Sequence, residues 1–402
     1  MTRLRSTQWT RAAGALALAS ALALAGCGDS PEGEEAEKNR PPGEGTQTDL
    51  LALLNESDRL LSELVTAENR ILEQCLEDEG FTVHDKFTIL DSGAGLELES
   101  LASGDAPAMD LFPDPDMAAK WGFGEWANTD EGMAAPDYDE YMDLRHADRS
   151  DSETDAAELG FDGEQGSIDN SAFEALSEDD KLAWYVAYGG TGFAAWQGLT
   201  DEEWEDWREE SGGATTPKPD GCLLEMTEGL YGEPELVVDE EEGTAAWSGR
   251  PDSPEFAGSG WEDILPTYRE RIAAEESAFL DCLIDRDRGA WEYDEFGTVY
   301  YTGYFIGVYT GQWESTDGSS YSEGVPTPPS DLPADFEGLR RHETEVAVDF
   351  VECGAESGLS EAAPAAWEAV HLEFYQSIEP ELFTWQDELK AALDKSQELI
   401  GA

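Results

Sequence analysis

The five cysteines are the residues whose chemistry most constrains this chain: Cys27, Cys75, Cys222, Cys282 and Cys353. Two thiols in an oxidising compartment form a disulfide, and a single thiol can instead carry a covalent modification. Because the number is odd, at least one cysteine stays unpaired or has a role other than a disulfide. The position of each cysteine along the chain then indicates which one is set apart.

The other reactive side chains form no recognisable catalytic or metal-binding motif. The four histidines, His84, His146, His342 and His371, are far apart, and none has the HxH or HExxH spacing of a zinc site. Residues 285–289 read DRDRG, like the start of a calcium loop, but Phe296 stands where the bidentate glutamate belongs. Serine-hydrolase and phosphate-binding motifs are also missing from the sequence. We therefore expect no metal, no cofactor and no identifiable catalytic residue.

Acidic residues dominate the composition, with 91 Asp and Glu against 23 Lys and Arg and a formal net charge of −68. A field of this sign repels nucleic acids and anionic lipid headgroups, so nucleic acid is excluded as a partner. The acids are spread along the chain, which favours a role in solubility, with loose binding of divalent cations as the alternative. Two facing carboxylates could also hydrolyse a glycan, but so many acids single out no pair.

Trp204 and Trp207 are the candidates for ligand stacking. They lie three residues apart on one face of a short predicted helix that begins at Thr200, where Thr200 and Glu203 have capping-box spacing. Exposed tryptophans on a protein of the cell envelope can stack on sugar rings, and packing on the core is the favoured alternative. Because the acidic surface repels phosphate-rich polymers, a neutral glycan is the ligand of this kind that fits.

The first 26 residues have the three parts of an export signal. Arg3, Arg5 and Arg11 precede an uninterrupted run of small and apolar residues at 12–25. A membrane-spanning helix needs about 20 apolar residues, and this run is shorter. The sequence therefore predicts a signal peptide over residues 1–26 and an extracytoplasmic location for the rest of the chain.

The motif at the end of this signal, Leu24-Ala25-Gly26-Cys27, resembles the lipobox of bacterial lipoproteins. The resemblance implies that Cys27 is the lipidated first residue of the mature chain, with acyl chains such as palmitate holding it on the outer face of the cell membrane. An anchor with two or more chains is stable, whereas one chain holds only marginally. Residues 27–47 are rich in Gly, Pro and Glu, which predicts a disordered tether with a span of roughly 25 Å.

The rest of the chain is predicted to be mainly α-helical, with a first helical half at residues 48–232, an acidic connector at 233–260 and a second helical half at 261–402. From Thr48 to Glu79, apolar residues recur every three or four positions, which predicts a long amphipathic helix. Ser57 and Glu68 interrupt this apolar stripe, which favours packing within the chain over a coiled coil.

The two halves share a pattern. Residues 68–85 and 276–294 both contain Cys-Leu-x-Asp followed by a Gly and then acidic and aromatic residues, and residues 345–359 repeat the first part of it. Three of the four cysteines after Cys27 therefore lie near helix ends with glycine as the stop. We interpret the fold as two weakly related halves, stapled by disulfides and carrying long irregular acidic inserts.

Other segments have their own predictions. Residues 82–170 are rich in Asp, Pro and Gly, which indicates an irregular insert. Helices are expected over Ser171–Tyr188, with Ser177 as an N-cap, and over residues 361–393, with a break at Pro380. Residues 298–313 carry glycines every four residues among aromatics, and we predict a buried loop or a short strand pair.

These motifs together resemble a set of actinobacterial cell-envelope lipoproteins whose activity is uncharacterised. The matching elements are the lipobox, CLEDEGF, KWGFGEW, ALSEDDKLAWYVAYGG, FLDCLIDRDRGAW and EVAVDFVECGAESGLSEA. The resemblance implies an envelope location and a helical ectodomain with four cysteines, but no catalytic residue. We expect a noncatalytic binding or scaffolding protein, with a carboxylate-based cell-wall hydrolase as the alternative.

The four cysteines of the ectodomain allow three pairings. If the two halves are related and each folds on itself, Cys75 pairs with Cys222 and Cys282 with Cys353. Joining Cys75 to Cys282 is the competing arrangement, which would bring the two similar helix ends together. The helix-stopping glycines that follow these two cysteines direct their chains apart, which favours the first pairing.

Overall fold

The computed structural model describes residues 45–89, 97–102, 104–145, 168–239, 243–255, 260–294, 296–314 and 320–401. The signal sequence, Cys27, His146 and nearly all of the tether lie outside these residues. The described residues belong to one compact unit and are mainly α-helical, so the predicted fold class is confirmed. None of the described helices combines the length and the apolarity that crossing a bilayer requires.

The helices and strands follow in chain order. The helices before the hairpin are α1 (Gln47–Asp78), α2 (Pro115–Trp121), α3 (Asp130–Met133), α4 (Ser171–Glu174), α5 (Glu178–Trp196), α6 (Asp201–Glu210) and α7 (Gly221–Leu230). The antiparallel hairpin is β1 (Leu236–Asp239) and β2 (Thr244–Trp247). The helices after it are α8 (Ile264–Asp285), α9 (Tyr301–Thr310), α10 (Phe336–Ser357), α11 (Leu359–Ser377) and α12 (Glu379–Ile400). Short 3₁₀ helices are Pro107–Leu111, Glu125–Asn128 and Trp261–Asp263.

Helix α1 begins and ends as its sequence predicts, to within a residue or two. Thr46 and Asp49 form a reciprocal capping box at its start, and Gly80, with φ of +100°, follows its end. The two interruptions of the apolar stripe are both satisfied. Ser57 is buried and accepts a hydrogen bond from Gln386 of α12 at 3.2 Å, and Glu68 pairs with Arg250. These partners explain why polar residues are tolerated on the buried face.

The main core is formed by α8, α10, α11, α12 and the first two thirds of α1. Its centre is aromatic: Phe279 of α8, Phe350 of α10 and Trp291 lie edge to face, with Phe350 5.3 Å from each of the other two ring centroids. Such pairs contribute about 0.5–1.5 kcal/mol beyond the area they bury. This packing holds α8 against α10 along the length that carries the second disulfide.

A second core surrounds the other end of α1. Leu72 and Leu76 pack there with Trp184 and Tyr188 of α5 and with Leu230 of α7. Helix α1 therefore contributes to both cores, while α5 and α7 contribute only to the second. The domain boundaries at 232 and 260 stay a prediction. In the structure, α1 is shared between the main core and the second core.

A buried carboxylate organises the third and smallest core, which includes Trp121, Trp126 and Tyr141. Glu343 of α10 accepts hydrogen bonds from the backbone N–H groups of Glu125 at 2.8 Å and Trp126 at 3.1 Å and from the Tyr309 hydroxyl at 2.6 Å. Burial raises the pKa of this carboxyl to about 7, although the three hydrogen bonds oppose the shift. Glu343 thus caps the N-terminus of the 3₁₀ helix Glu125–Asn128 from a different helix, α10.

The prediction for residues 298–313 was wrong, because Tyr301–Thr310 form helix α9 rather than a loop or strand pair. The glycines that suggested a loop are packing positions. A Cβ at Gly303 would come within 2.2 Å of the Tyr300 ring, and one at Gly307 within 2.5 Å of the Trp313 ring. Tertiary packing of the aromatics outweighs the low helix propensity of glycine here.

The structure joins Cys75 to Cys222 and Cys282 to Cys353, with Cα atoms 5.7 Å and 5.6 Å apart. This is the pairing that two self-folding halves predict. The second bond lies beside an ion-pair network in which Arg286 of α8 contacts Asp349 at 2.7 Å and Glu356 at 2.6 Å. The Cys75–Cys222 bond thus joins the end of α1 to α7, and the Cys282–Cys353 bond joins the end of α8 to α10.

We predict that replacing either cysteine pair by alanine lowers the free energy of unfolding by about 2–5 kcal/mol, because each bond closes a long loop in the unfolded chain. Urea unfolding of the Cys75→Ala/Cys222→Ala and Cys282→Ala/Cys353→Ala variants measures this loss. Peptide mapping without reductant is the direct check of connectivity. A linked peptide containing both Cys75 and Cys282, or alkylation of any of the four thiols before reduction, would contradict the pairing.

Candidate functional site

The candidate site is an open depression of about 420 Å³ on α8. Its lining residues are Leu265, Pro266, Arg269, Glu270, Ala273 and Glu276. They recur every three or four residues, so they share one face of the helix. We call this feature the α8 depression.

Glu276 is the unusual residue of the α8 depression because it is only 7% exposed and its Oε1 atom accepts no hydrogen bond within the described structure. The nearest cation is Arg269, whose Nε lies 3.7 Å from that oxygen, beyond hydrogen-bond distance. Burial raises the pKa of Glu276, and the positive charge of Arg269 opposes this. A buried carboxylate oxygen without a donor costs about 1–3 kcal/mol or more, so this position is destabilising unless something donates to it.

Arg269 is held in place from the other side. Its Nη1 donates a hydrogen bond to the carbonyl oxygen of Asp294 at 3.1 Å, and its guanidinium carbon lies 5.9 Å from the centre of the Tyr293 ring. Gly297 allows this close approach, since a Cβ there would lie 3.1 Å from the arginine Cδ. The guanidinium therefore stays near Glu276 but does not form a hydrogen bond with its Oε1 atom.

This arrangement suits a neutral ligand with hydroxyl groups. Oε1 of Glu276 accepts from a hydroxyl, Arg269 donates to one, and Leu265, Pro266 and Ala273 offer apolar surface. A phosphate or carboxylate would meet Glu270 and Glu276, whereas a hydroxyl donates to Glu276 without placing another charge beside Arg269. In the part of the chain that the structure describes, no three His, Cys, Asp or Glu side chains are grouped as a metal site requires.

Asp58 and Glu255 form the carboxylate pair that a hydrolase would need. Burial, followed by the negative charge of Glu255, raises the pKa of Asp58 to about 6. Glu255 accepts hydrogen bonds from Tyr375 Oη at 2.7 Å and Ser253 Oγ at 3.1 Å. A carboxyl with a raised pKa beside a second carboxyl is an arrangement that hydrolysis by acid–base catalysis uses.

Trp204 and Trp207 are placed on α6 as predicted, and the capping box of Thr200 with Glu203 is present. Both rings are half-buried, and neither is among the residues of the three described cores. The guanidinium carbon of Arg208 lies 5.4 Å from the centre of the Trp204 ring. Neither tryptophan lines the α8 depression.

The three described histidines do not come together. His342 is buried with a hydrogen bond to Tyr304 at 2.9 Å, and burial lowers its pKa to about 4. His371 is also buried, and its Nδ1 lies 2.9 Å from the carbonyl oxygen of Trp367. His84 lies beside Trp184 in the second core. These positions match single core histidines rather than a metal site.

Sequence reasoning missed Arg269 and Glu276 because no acid stands out among 91. One signal was present: the buried residues of α8 are Ile264, Tyr268, Ile272, Glu276, Phe279 and Leu283, so an acid occupies a position in an otherwise apolar stripe. Comparison with known proteins adds no assignment, since neither a family model nor a curated protein nor a solved structure matches this chain.

We predict that Asp58→Asn stabilises the protein at pH 7 by about 1 kcal/mol, after allowing for solvent screening of a partly exposed group. The folded-state pKa of Asp58, about 6, exceeds the value of about 3.9 for an unfolded aspartate, so its contribution to stability falls as the pH rises from 4 to 6. Urea unfolding between pH 4 and pH 8 measures the difference, with the exposed Asp252→Asn as the control. A difference that does not change with pH would contradict this environment for Asp58.

Proposed function

We propose that this chain is a lipid-anchored protein of the outer face of the cell membrane that binds a neutral, hydroxyl-rich ligand in the α8 depression without turning it over. The observation that carries the binding proposal is the buried Oε1 of Glu276, which has no donor although Arg269 is held beside it. A hydroxyl of a saccharide supplies the missing donor, and the guanidinium supplies a donor for a neighbouring hydroxyl.

Two features support the location. Disulfides such as Cys75–Cys222 and Cys282–Cys353 persist in oxidising compartments and are rare in the cytosol. The apolar run at residues 12–25, followed by Leu24-Ala25-Gly26-Cys27, has the form of a lipoprotein signal. The membrane is then the partner through the lipid on Cys27, and the acidic surface stays in solution.

The net charge of −68 supports a neutral saccharide over the anionic polymers of a cell wall, because like charges repel. Trp204 and Trp207 are a second candidate surface for the same ligand class, since half-buried rings on one helix face can stack on a sugar. Divalent cations are a weaker proposal, because the guanidinium of Arg269 lies 3.7 Å from Glu276 and repels a second cation there.

A carboxylate-based hydrolase is the second candidate function, and the raised pKa of Asp58 beside Glu255 is what favours it. The Asp58→Asn variant described above separates the two proposals. Turnover of a neutral glycan by the purified chain that is lost in Asp58→Asn would replace the binding assignment with hydrolysis. Binding without turnover in both forms supports the first proposal.

We predict that Cys27→Ala abolishes membrane attachment, because the thiol is the proposed site of lipid transfer. Fractionation of cells expressing each form measures this: the native chain is expected with the membranes, and the variant in the medium or as an unprocessed precursor. Ser30→Ala, three residues away, is the matched control and is expected to fractionate like the native chain. If the Cys27→Ala protein still sediments with membranes in its processed form, the anchor is assigned to the wrong residue.

We predict that Glu276→Met raises the free energy of unfolding by about 1–2 kcal/mol while weakening saccharide binding at least tenfold. The substitution removes a buried acceptor that has no donor and keeps most of the side-chain volume. Calorimetry with a panel of neutral di- to tetrasaccharides measures affinity, and urea unfolding measures stability.

Two control variants make this experiment specific. Glu275→Gln, on the neighbouring helix position, is expected to leave both readouts unchanged. The Trp204→Ala/Trp207→Ala variant tests the second surface. Saccharide binding that survives Glu276→Met but is lost in the tryptophan variant would move the site from α8 to α6.

A further inference from the structure

The outer strand of the hairpin is open on one edge. Strand β1 pairs with β2, with Val237 opposite Ala246 and Val238 opposite Ala245. On its other side β2 is occupied: Ala245 donates its N–H to Gly213 at 2.8 Å and accepts from the Thr215 N–H at 2.9 Å. Strand β1 therefore ends the sheet.

In an antiparallel pair, alternate residues of a strand direct their backbone N–H and C=O groups to the partner strand, and the residues between them direct these groups outward. Ser248 donates its N–H to the carbonyl oxygen of Glu235 at 2.8 Å, so residues 235, 237 and 239 turn their backbone groups towards β2. The N–H and C=O of Leu236 and Val238 then face the open edge. Within the described residues, no other element donates to or accepts from them.

The side chains of this strand are apolar and exposed: Leu236 is 37%, Val237 59% and Val238 54% exposed. Exposed strand edges are normally protected by lysine, proline or a bulge, because an unpaired edge can template another strand. Residues 236–238 have none of these. The segment combines free main-chain groups with β-branched side chains on both faces, which are the features that β-augmentation uses.

Charge indicates what pairs with this edge. Glu233 and Glu235 precede the strand and are exposed, residues 239–242 are all acidic in sequence, and the chain as a whole carries a net charge of −68. A second copy of the chain would bring these acids against one another, which disfavours self-association. An extended segment with apolar residues flanked by lysine or arginine meets opposite charge at both ends.

We propose that the free edge of β1 is a docking site for an extended, cationic peptide segment of a partner protein, which adds to the hairpin as a third strand. The main-chain groups of Leu236 and Val238 pair with the incoming strand, and the valines supply apolar contacts. This surface is separate from the α8 depression, and the proposal does not depend on ligand binding there.

The test uses the mature chain and a synthetic eight-residue peptide of four valines flanked by two lysines on each side, with the same peptide carrying glutamate in place of lysine as the charge control. Val238→Pro removes an N–H that faces outward and that the β1–β2 ladder does not use, so it leaves that ladder intact and does not alter the net charge, while it exchanges one apolar side chain for another. Val238→Thr keeps the N–H and is the matched control.

We expect the lysine peptide to bind the native chain and Val238→Thr at least tenfold more tightly than Val238→Pro, and the glutamate peptide to bind at least tenfold more weakly than the lysine peptide. Hydrogen exchange should show new protection of the Leu236 and Val238 amides on binding. If the lysine peptide bound Val238→Pro as tightly as the native chain, binding would be nonspecific charge attraction and the proposal would be wrong. Dimerisation of the native chain that Val238→Pro abolishes would assign the edge to a second copy instead.

Discussion

The packing of α1 is the constraint on which the rest of the fold depends. This helix of 32 residues is about 48 Å long at 1.5 Å per residue, and it enters two cores. Its first two thirds pack on α12 from the end of the chain, and its last third packs on α5 and α7. Because one helix contributes residues to both cores, the folding of each core depends on the same helix being in place. The Cys75–Cys222 bond then fixes the end of α1 to α7 beside the second core.

The scarcity of cations determines how buried acids are satisfied. With 23 Lys and Arg against 91 acids, most carboxylates have no basic partner and must face water. Arg250, by contrast, pairs with the buried Glu68, and Glu343 is satisfied by backbone N–H groups of another segment. Glu276 is the contrasting case, since its cation is close but does not complete the hydrogen bond. A buried acid that the fold itself satisfies is structural, and one that it leaves without a donor is a reason to look for a ligand.

Local patterns in the sequence predicted local structure well. The cap at Ser177, the capping box at Thr200 and the break before Pro380 depend on neighbouring residues, and all are present. The disulfide pairing followed from the repeated cysteine motif and the expectation that each half folds on itself, although the first two thirds of α1 pack on α12 from the second half. The helix at Tyr301–Thr310 could not be predicted in the same way, because its glycines are explained by Tyr300 and Trp313, which only the tertiary fold brings against them. Arg269 and Glu276 could not be recognised from the sequence either. What distinguishes them is the distance of 3.7 Å between Arg269 Nε and Glu276 Oε1, and the spacing of the two residues in the sequence does not predict that distance.

The acidic surface sets the conditions under which both proposed contacts operate. Repulsion between like-charged copies disfavours pairing of the exposed strand edge with itself, which reduces the usual hazard of an open edge. The same field attracts a cationic segment to β1 but has little effect on an uncharged saccharide at α8. Raising the salt concentration therefore weakens an interaction at the β1 edge and leaves one at the α8 depression nearly unchanged. Two surfaces on one acidic body can thus be told apart by ionic strength alone, because only one of them depends on long-range charge.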